Sequence, residues 1–89
     1  MMSFLSVILD YSLAVGLSKS LAAIGASIVV LAAATGIGKI GANAMDAIAR
    51  QPQASGDIRS SMILAAALIE GVAFIAIIVC LLSYFVQLQ

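Results

Sequence analysis

Two long apolar stretches divide the chain, and one polar run separates them. The apolar stretches cover residues 20–38 and 61–86, and the polar run covers residues 43–61. A helix of roughly 20 residues crosses a bilayer core about 30 Å thick, so each stretch is long enough to span a membrane. The pattern predicts an all-α membrane protein: a two-helix transmembrane hairpin whose ends lie on the same side of the membrane.

We expect the whole chain, residues 1–89, to form a single hairpin domain. Helix 1 is predicted at about residues 12–47, the loop at about 48–56 and helix 2 at about 57–86. Lys39, Arg50 and Arg59 lie in or beside the loop, whereas Lys19 lies towards the other side. The excess of positive charge predicts that the loop faces the cytoplasm and that both termini lie outside. We do not expect a signal peptide, because no Lys or Arg precedes the apolar run 5–9.

Composition narrows the function classes. Of the 89 residues, 64% are hydrophobic and 9% are charged, a balance far from that of a soluble domain. The sequence contains no histidine and one cysteine, Cys80, which excludes a disulfide within the chain and a multi-cysteine metal cluster. Cys80 is expected to be a small apolar packing or lipid-facing residue. The sequence has no basic patch with interleaved aromatic residues, so we do not expect nucleic acid as a partner.

Helix 1 is rich in small side chains, which let helix backbones approach closely in lipid. Ala34, Gly38 and Ala42 form a stripe at four-residue spacing, and Ala32 and Gly36 extend the set. Because steps of two residues turn a helix by about 200°, we expect close contacts on more than one side. This suits the inner layer of an assembly, with the bulkier helix 2 outside. The alternative is that the small residues serve only the partner helix of the same chain.

Glu70 is a lone carboxyl group in the second apolar stretch, on a face formed by Ala66, Ala67, Ala73 and Phe74. An ionised side chain at the centre of a membrane costs roughly 2.5 to 3.5 kcal/mol, so we expect the neutral acid at rest. A group that is neutral in lipid and charged beside a cation is a reversible proton carrier. The alternative is a structural hydrogen bond from the acid to a backbone carbonyl group.

The run Ala49-Arg50-Gln51-Pro52 in the loop, followed 20 residues after the arginine by Glu70, is a specific pattern. Together with the small-residue helix and the segment Leu68-Ile69-Glu70-Gly71, it resembles the ring-forming c subunit, or proteolipid, of F-type ATP synthases. The resemblance covers about residues 21–86. It implies that copies of the hairpin assemble into a cylindrical homo-oligomeric ring with helix 1 inside.

The resemblance also implies a function and partners. Glu70 would be deprotonated beside an arginine of the stator's a subunit and reprotonated as the ring turns, coupling proton-motive force to ATP synthesis. Arg50, Gln51 and Pro52 would contact the gamma and epsilon subunits of the central stalk, although the same residues also suit an ordinary turn. The chain itself would carry no catalytic site. The membrane would be the bacterial inner membrane, with an organellar inner membrane as the alternative.

The transported ion is predicted to be H⁺. The resembling family includes sodium-driven members, which have a glutamine on helix 1 and hydroxyl residues just after the glutamate. Here the corresponding residues are Ile37, Gly71 and Val72, which supply no side-chain oxygen. We expect no cofactor and no resident metal, with a sodium-coupled ring as the alternative. The candidate neighbours of the proton site are Ala34, Thr35, Ile37, Ala66, Ala67, Gly71 and Phe74, of which Thr35 could hold a water.

Two other classes of protein fit the sequence less well. A small pore-forming or holin-like hairpin predicts a basic tail and polar stripes along a channel wall, yet residues 84–89 contain no Lys or Arg. The proteolipids of vacuolar-type enzymes are often lengthened by duplicated hairpins, whereas this chain has one. The F-type resemblance is therefore favoured.

Overall fold

The computed structural model describes residues 2–86 and shows a helical hairpin. Helix α1 is Met2–Arg50 and helix α2 is Ser55–Val86, with the short 3-10 turn Pro52–Ala54 between them. Both helices are long and apolar enough to cross a membrane. The predicted all-α hairpin with two long apolar helices is confirmed. The interpretation of the chain end as a tail without basic residues falls partly on residues 87–89, which lie outside the described residues.

The helix boundaries differ from those expected. Helix α1 begins at Met2, ten residues before the predicted start, and runs unbroken to Arg50. The only proline of the chain is Pro52, so nothing in the first 50 residues removes a backbone donor from the helix. The observed connection between the helices is shorter than the predicted loop at 48–56, because the polar residues at both ends of that loop are helical. The polar run 43–61 therefore contains the end of α1 and the start of α2 as well as the turn.

The turn is made by Gln51 and Pro52. Proline disfavours helical dihedrals in the preceding residue, and Gln51 accordingly has φ −133° and ψ 72°. The Gln51 N–H still donates to the carbonyl of Ala47 at 2.9 Å, and the Ala54 N–H donates to the carbonyl of Gln51 at 3.0 Å. Pro52 then starts the 3-10 turn, where its missing N–H leaves no donor unpaired. The chain therefore reverses direction within a few residues.

The two helices pack along what we call the seam, the mutually facing rows of half-buried residues. A Cβ atom built at Gly25 would lie 3.5 Å from Cys80 Sγ, and one built at Gly36 would lie 3.4 Å from Ile69 Cδ1. At both positions α2 therefore comes as close as an added methyl group would allow, and a larger side chain would have to displace it. Cys80 is half-buried and packs on α1. The seam includes Gly25, Val29, Ala33, Gly36, Ile37 and Ile40 on α1 and Met62, Ala65, Ile69, Ala73, Ala76 and Cys80 on α2.

A second set of small residues on α1 stays uncovered. Ala34, Gly38 and Ala42, which we call the open stripe, are all exposed, and Ala32 is exposed as well. A Cβ atom built at Gly38 would meet nothing within 4 Å. The small residues of α1 therefore occupy more than one side of the helix. The seam uses one side, and α2 of the same chain leaves the other free.

The hairpin has almost no core of its own. Among the described residues, Ala44 alone is buried, with 8% of its surface exposed. Many large apolar side chains remain more than half exposed, including Leu68, Val72 and Phe74. Neither apolar helix is buried inside the hairpin. Such a surface requires lipid or further protein chains around it.

Helix α1 extends well past the level of Val86, the last residue of α2 that the structure describes. Lys19 Nζ lies 4.9 Å from the centre of the Tyr84 ring, which places Lys19 level with the last turn of α2. Residues 2–14 of α1 are all exposed. We call them the projecting segment; its 13 residues correspond to about 20 Å of helix.

Candidate functional site

Glu70 lies on α2 immediately beside the seam. Its predecessor Ile69 is half-buried against Gly36 of α1. One further residue turns a helix by about 100°, so Glu70 lies out of the seam, and its side chain is exposed. The packing of Ile69 therefore determines where the carboxyl group is presented.

The carboxyl group of Glu70 lines an open groove between the two helices. Apart from Glu70 itself, no side chain that lines this groove carries an oxygen or nitrogen atom. A proton on the acid needs only one acceptor, which a backbone carbonyl can supply, whereas a metal cation needs several oxygen ligands. The residues that line the groove with Glu70 are Val30, Ala33, Ala34, Ile37, Ala67, Gly71, Ala73, Phe74 and Ile77.

Five of the seven predicted neighbours share this groove: Ala34, Ile37, Ala67, Gly71 and Phe74. The structure does not bring the other two into it. Ala66 is half-buried and does not line the groove, although it lies one helix turn before Glu70. Thr35 points elsewhere on α1, and its hydroxyl group donates to the carbonyl of Leu31 at 2.8 Å.

Sequence reasoning placed Ala73 on the face of Glu70 but missed three of the lining residues, for two different reasons. Ile77 lies seven residues after Glu70, a spacing that places it on the same helix face and could have identified it. Val30 and Ala33 belong to α1, and only the register of the two helices assigns them to Glu70. No signal in the sequence of α1 reveals that register.

Within the described part of the chain, Glu70 takes part in none of the side-chain hydrogen bonds. Those bonds join Ser6, Ser20, Ser27 and Thr35 to carbonyl groups of their own helix. The nearest basic residue on α2 is Arg59, 11 residues away, or roughly 16 Å along the helix. Lys39 follows Ile37 by two residues and so points to the opposite side of α1. The carboxyl group thus sits among apolar side chains.

The polar loop forms a second candidate site at the tip of the hairpin. Arg50, Gln51 and Pro52 are all exposed there, with the end of α1 on one side and the 3-10 turn on the other. Their backbone is held by the turn hydrogen bonds, so the tip presents a defined polar surface. This surface lies at the far end of the hairpin from Lys19 and the projecting segment.

Comparison with known proteins places most of the hairpin in one family. The sequence profile of the ATP synthase c-subunit family matches residues 12–83. The chain is 65% identical over 82 residues to the ATP synthase c subunit of Bacteroides thetaiotaomicron, covering 91% of this chain and 96% of that relative. It is 63% identical over 81 residues to the protein of the same name in Phocaeicola vulgatus, covering 91% and 96%. A protein of that name in Petrotoga mobilis is 39% identical over 74 residues, covering 83% and 70%. No solved structure matches the chain.

Proposed function

The chain belongs to the ATP synthase c-subunit family, and on that basis we propose that it is the proton-translocating rotor-ring proteolipid of an F-type ATP synthase, with Glu70 as the proton carrier. The observation that carries the proposal is the exposed Glu70 in a groove lined by apolar side chains. Family membership makes the chain a component of the synthase complex. Family membership also argues against the pore-forming alternative, because the relatives are named as ATP synthase c subunits.

The proposed mechanism follows from the surroundings of the carboxyl group. While Glu70 faces lipid or a neighbouring copy, the neutral acid is favoured, because the anion costs roughly 2.5 to 3.5 kcal/mol there. The proton leaves when rotation brings Glu70 beside the arginine of the stator's a subunit, whose charge stabilises the carboxylate. Reprotonation from the opposite aqueous side allows the next step. A membrane potential supplies about 2.3 kcal/mol per charge per 100 mV to this cycle.

We propose H⁺ as the transported ion. The position where sodium-driven relatives place a glutamine is Ile37, and this apolar side chain lines the Glu70 groove. Gly71, directly after Glu70, lines it too and offers no hydroxyl group. Sodium would therefore lack side-chain oxygen ligands in this groove, whereas the proton of a neutral acid needs one acceptor.

The loop and the membrane complete the proposal. The Bacteroides relative and the two apolar helices indicate a bacterial membrane protein. Within that membrane we propose that the loop faces the cytoplasm, where the exposed Arg50, Gln51 and Pro52 contact the gamma and epsilon subunits of the central stalk. Both ends of the hairpin then face the other side. The chain serves as a moving carrier, and ATP is made elsewhere in the complex.

The direct test replaces the carboxyl group without changing its shape. Glu70→Gln is expected to leave membrane insertion and ring assembly intact and to abolish proton flux through the complex, measured by dye quenching in vesicles. Asp57→Asn is the matched control, since it removes a carboxyl group from the same helix at its loop end and should retain most of the flux. Substantial proton flux in the Glu70→Gln complex would refute the proposed role.

The ion is tested by labelling Glu70 with a hydrophobic carbodiimide, which reacts with a protonated carboxyl group. Labelling of the assembled ring at neutral pH is expected to proceed at the same rate with and without sodium. Glu70→Gln provides the unlabelled control. Protection by sodium would show that the site holds sodium and would overturn the choice of H⁺.

A further inference from the structure

The seam separates two open grooves on opposite sides of the hairpin. Glu70 lines one groove, and Leu68 and Val72 line the other. Ala33 and Ala73 of the seam line both grooves and so lie between them. Glu70 follows Leu68 by two residues, a turn of about 200°, and the two side chains therefore point to opposite sides. We call these the Glu70 side and the Leu68 side of the hairpin.

Arg59 extends the Glu70 side to the loop end of α2. Eleven residues, about three helix turns, separate Arg59 from Glu70, so the two side chains share one face of the helix. Arg59 is exposed and makes none of the side-chain hydrogen bonds found within the described residues. Glu70 lies roughly 16 Å away along the helix, too far to neutralise it. The guanidinium group is therefore an uncompensated positive charge on this side of the hairpin.

A polar groove occupies the Leu68 side at the same end. Asn43, Asp57 and Ser61 line this groove, and all three are exposed. Asp57 lies 11 residues before Leu68 and Ser61 lies seven before it, spacings that keep all three on one face of α2. The carboxylate, amide and hydroxyl groups of this groove each offer an oxygen to a donor. The described side-chain hydrogen bonds use none of them.

The positive charge and the polar groove lie at nearly the same height on opposite sides of one helix. Asp57 and Arg59 are two residues apart, a rise of about 3 Å and a turn of about 200°. Side chains at this spacing do not face each other within a helix. In a ring of parallel copies, each interface joins the Glu70 side of one copy to the Leu68 side of the next, a head-to-tail contact. Arg59 of each copy then faces the polar groove of its neighbour.

We propose that Arg59 of each copy forms an ion pair with Asp57 of the next copy, at the loop end of the outer layer of the ring. Asn43 and Ser61, which line the same groove as Asp57, provide further oxygen acceptors for the guanidinium group. This inference rests on the proposed ring. The two sides of the hairpin are complementary in charge at this level, so a second copy of the chain supplies what each side lacks.

The spacing of helices in a ring favours this pair. With α1 inside, the α2 helices lie on a larger circle and stand further apart than the α1 helices. Small side chains leave a gap at that distance, whereas the long side chain of Arg59 extends across it. Its five donors in a fixed fork suit a carboxylate together with an amide or hydroxyl oxygen. The other charged residues of the loop end, Lys39, Asp46 and Arg50, belong to α1 and so to the inner layer.

The effect of the pair comes from repetition. One exposed ion pair contributes little, but a ring contains the pair at every interface. Asp57 also lies in the first turn of α2, where a carboxylate interacts favourably with the helix N-terminus. A test must separate these two roles. Asp57→Asn keeps an oxygen acceptor for Arg59, so the ring is expected to assemble with it.

The test exchanges the two charges in the ring. Arg59→Asp alone places two carboxylates at every interface, and Asp57→Arg alone places two guanidinium groups there. Each single variant is expected to lower the temperature at which the ring dissociates in detergent by several degrees, or to prevent assembly. The double variant Asp57→Arg with Arg59→Asp is expected to restore most of the loss. A role at the helix N-terminus predicts no restoration, because position 59 lies beyond the first turn of α2.

Asp46→Arg is the matched control, since it makes the same change of charge at the loop end but on α1. Combining it with Arg59→Asp is expected to restore nothing. Equal restoration with Asp46→Arg and with Asp57→Arg would overturn the specific pair. An unchanged dissociation temperature with Asp57→Arg would overturn it too, and would indicate another partner for Arg59, such as a lipid phosphate group.

The outcomes separate the pair from the ring itself. An unsubstituted ring whose Glu70 reacts with carbodiimide, but whose exchanged variant shows no restoration, overturns the ion pair alone. Failure of the unsubstituted chain to form a ring would contradict the proposed function as well.

A second measurement uses the dependence on salt. The screening length of exposed charges falls from about 8 Å at 0.15 M salt to about 3 Å at 1 M. Raising the salt concentration is expected to lower the dissociation temperature of the unsubstituted ring more than that of the Arg59→Gln ring, which has no ion pair to screen. Equal salt dependence of the two rings would contradict the pair.

Discussion

The seam and the open stripe are built from the same kinds of residue but are completed in different ways. Gly36 belongs to the seam, where an added Cβ atom would already touch Ile69 at 3.4 Å. Gly38, two residues later, belongs to the open stripe and has no atom within 4 Å of the corresponding position. Since two residues turn the helix by about 200°, the two glycines point to opposite sides of α1. One side is filled within the chain, and the other is left uncovered.

This comparison explains why one helix needs so many small residues. Close packing of α1 against its own α2 uses only the seam, and a free hairpin would gain nothing from the open stripe. Glu70 stands at the border between the two regions, with Ile69 in the seam and Ala34 of the open stripe in its groove. The surface that we expect to join copies and the surface that carries the proton are therefore adjacent. Changes to either region should have separable effects.

The largest effect is expected from Gly38→Leu, which fills the open stripe. Within the hairpin the added Cβ atom meets nothing within 4 Å, so we expect normal membrane insertion. The neighbouring copy can no longer approach closely, and the ring should be lost, with proton flux falling to background. The yield of oligomer on a native gel measures the effect.

Gly56→Leu is the matched control for that prediction. Gly56 also has free space around its added Cβ atom, but it lies in the first turn of α2, far from the open stripe. The ring should form with it. A normal ring with Gly38→Leu would show that copies do not meet at the open stripe.

An intermediate effect is expected from Gly36→Val, which overfills the seam. Its branched side chain must displace Ile69, and forcing extra methyl groups into a packed contact costs about 1 to 3 kcal/mol. The free energy of unfolding in detergent should fall by that amount. Combining the change with Ile69→Ala removes the obstructing atoms, so the double variant should recover part of the loss. Equal stability of Gly36→Val and the unsubstituted chain would contradict the close contact.

The smallest effect is expected where Lys19 lies over Tyr84. Such a cation–π contact at a partly exposed site contributes about 0.5 to 1 kcal/mol. Tyr84→Leu should therefore lower the free energy of unfolding by no more than this, measured by thermal unfolding in detergent. Tyr84→Phe keeps an aromatic ring beneath the ammonium group and should cost less. A larger loss with Tyr84→Phe than with Tyr84→Leu would rule out the cation–π contact as the source.

Local patterns were enough to predict the hairpin, because the length of apolar runs is a local property. They also singled out Glu70, since a lone acid in such a run is costly wherever the helices pack. They were less informative where neighbours come from another helix. Val30 and Ala33 were missed and Thr35 was included, because one helix turn of register decides which α1 side chains reach Glu70. The start of α1 was placed too late because apolar length, rather than the absence of a helix breaker, set the boundary.

The sequence by itself determined the two apolar helices, the short turn at Pro52, the acid at position 70 and the small residues on several sides of α1. Each depends on residue type and spacing along one helix. Only the tertiary structure decided which small residues form the seam, which side chains line the groove of Glu70, and that residues 2–14 extend beyond α2. These depend on the register between two helices, and many registers are compatible with smooth small-residue surfaces. The contacts of Gly25 with Cys80 and of Gly36 with Ile69 select one of them.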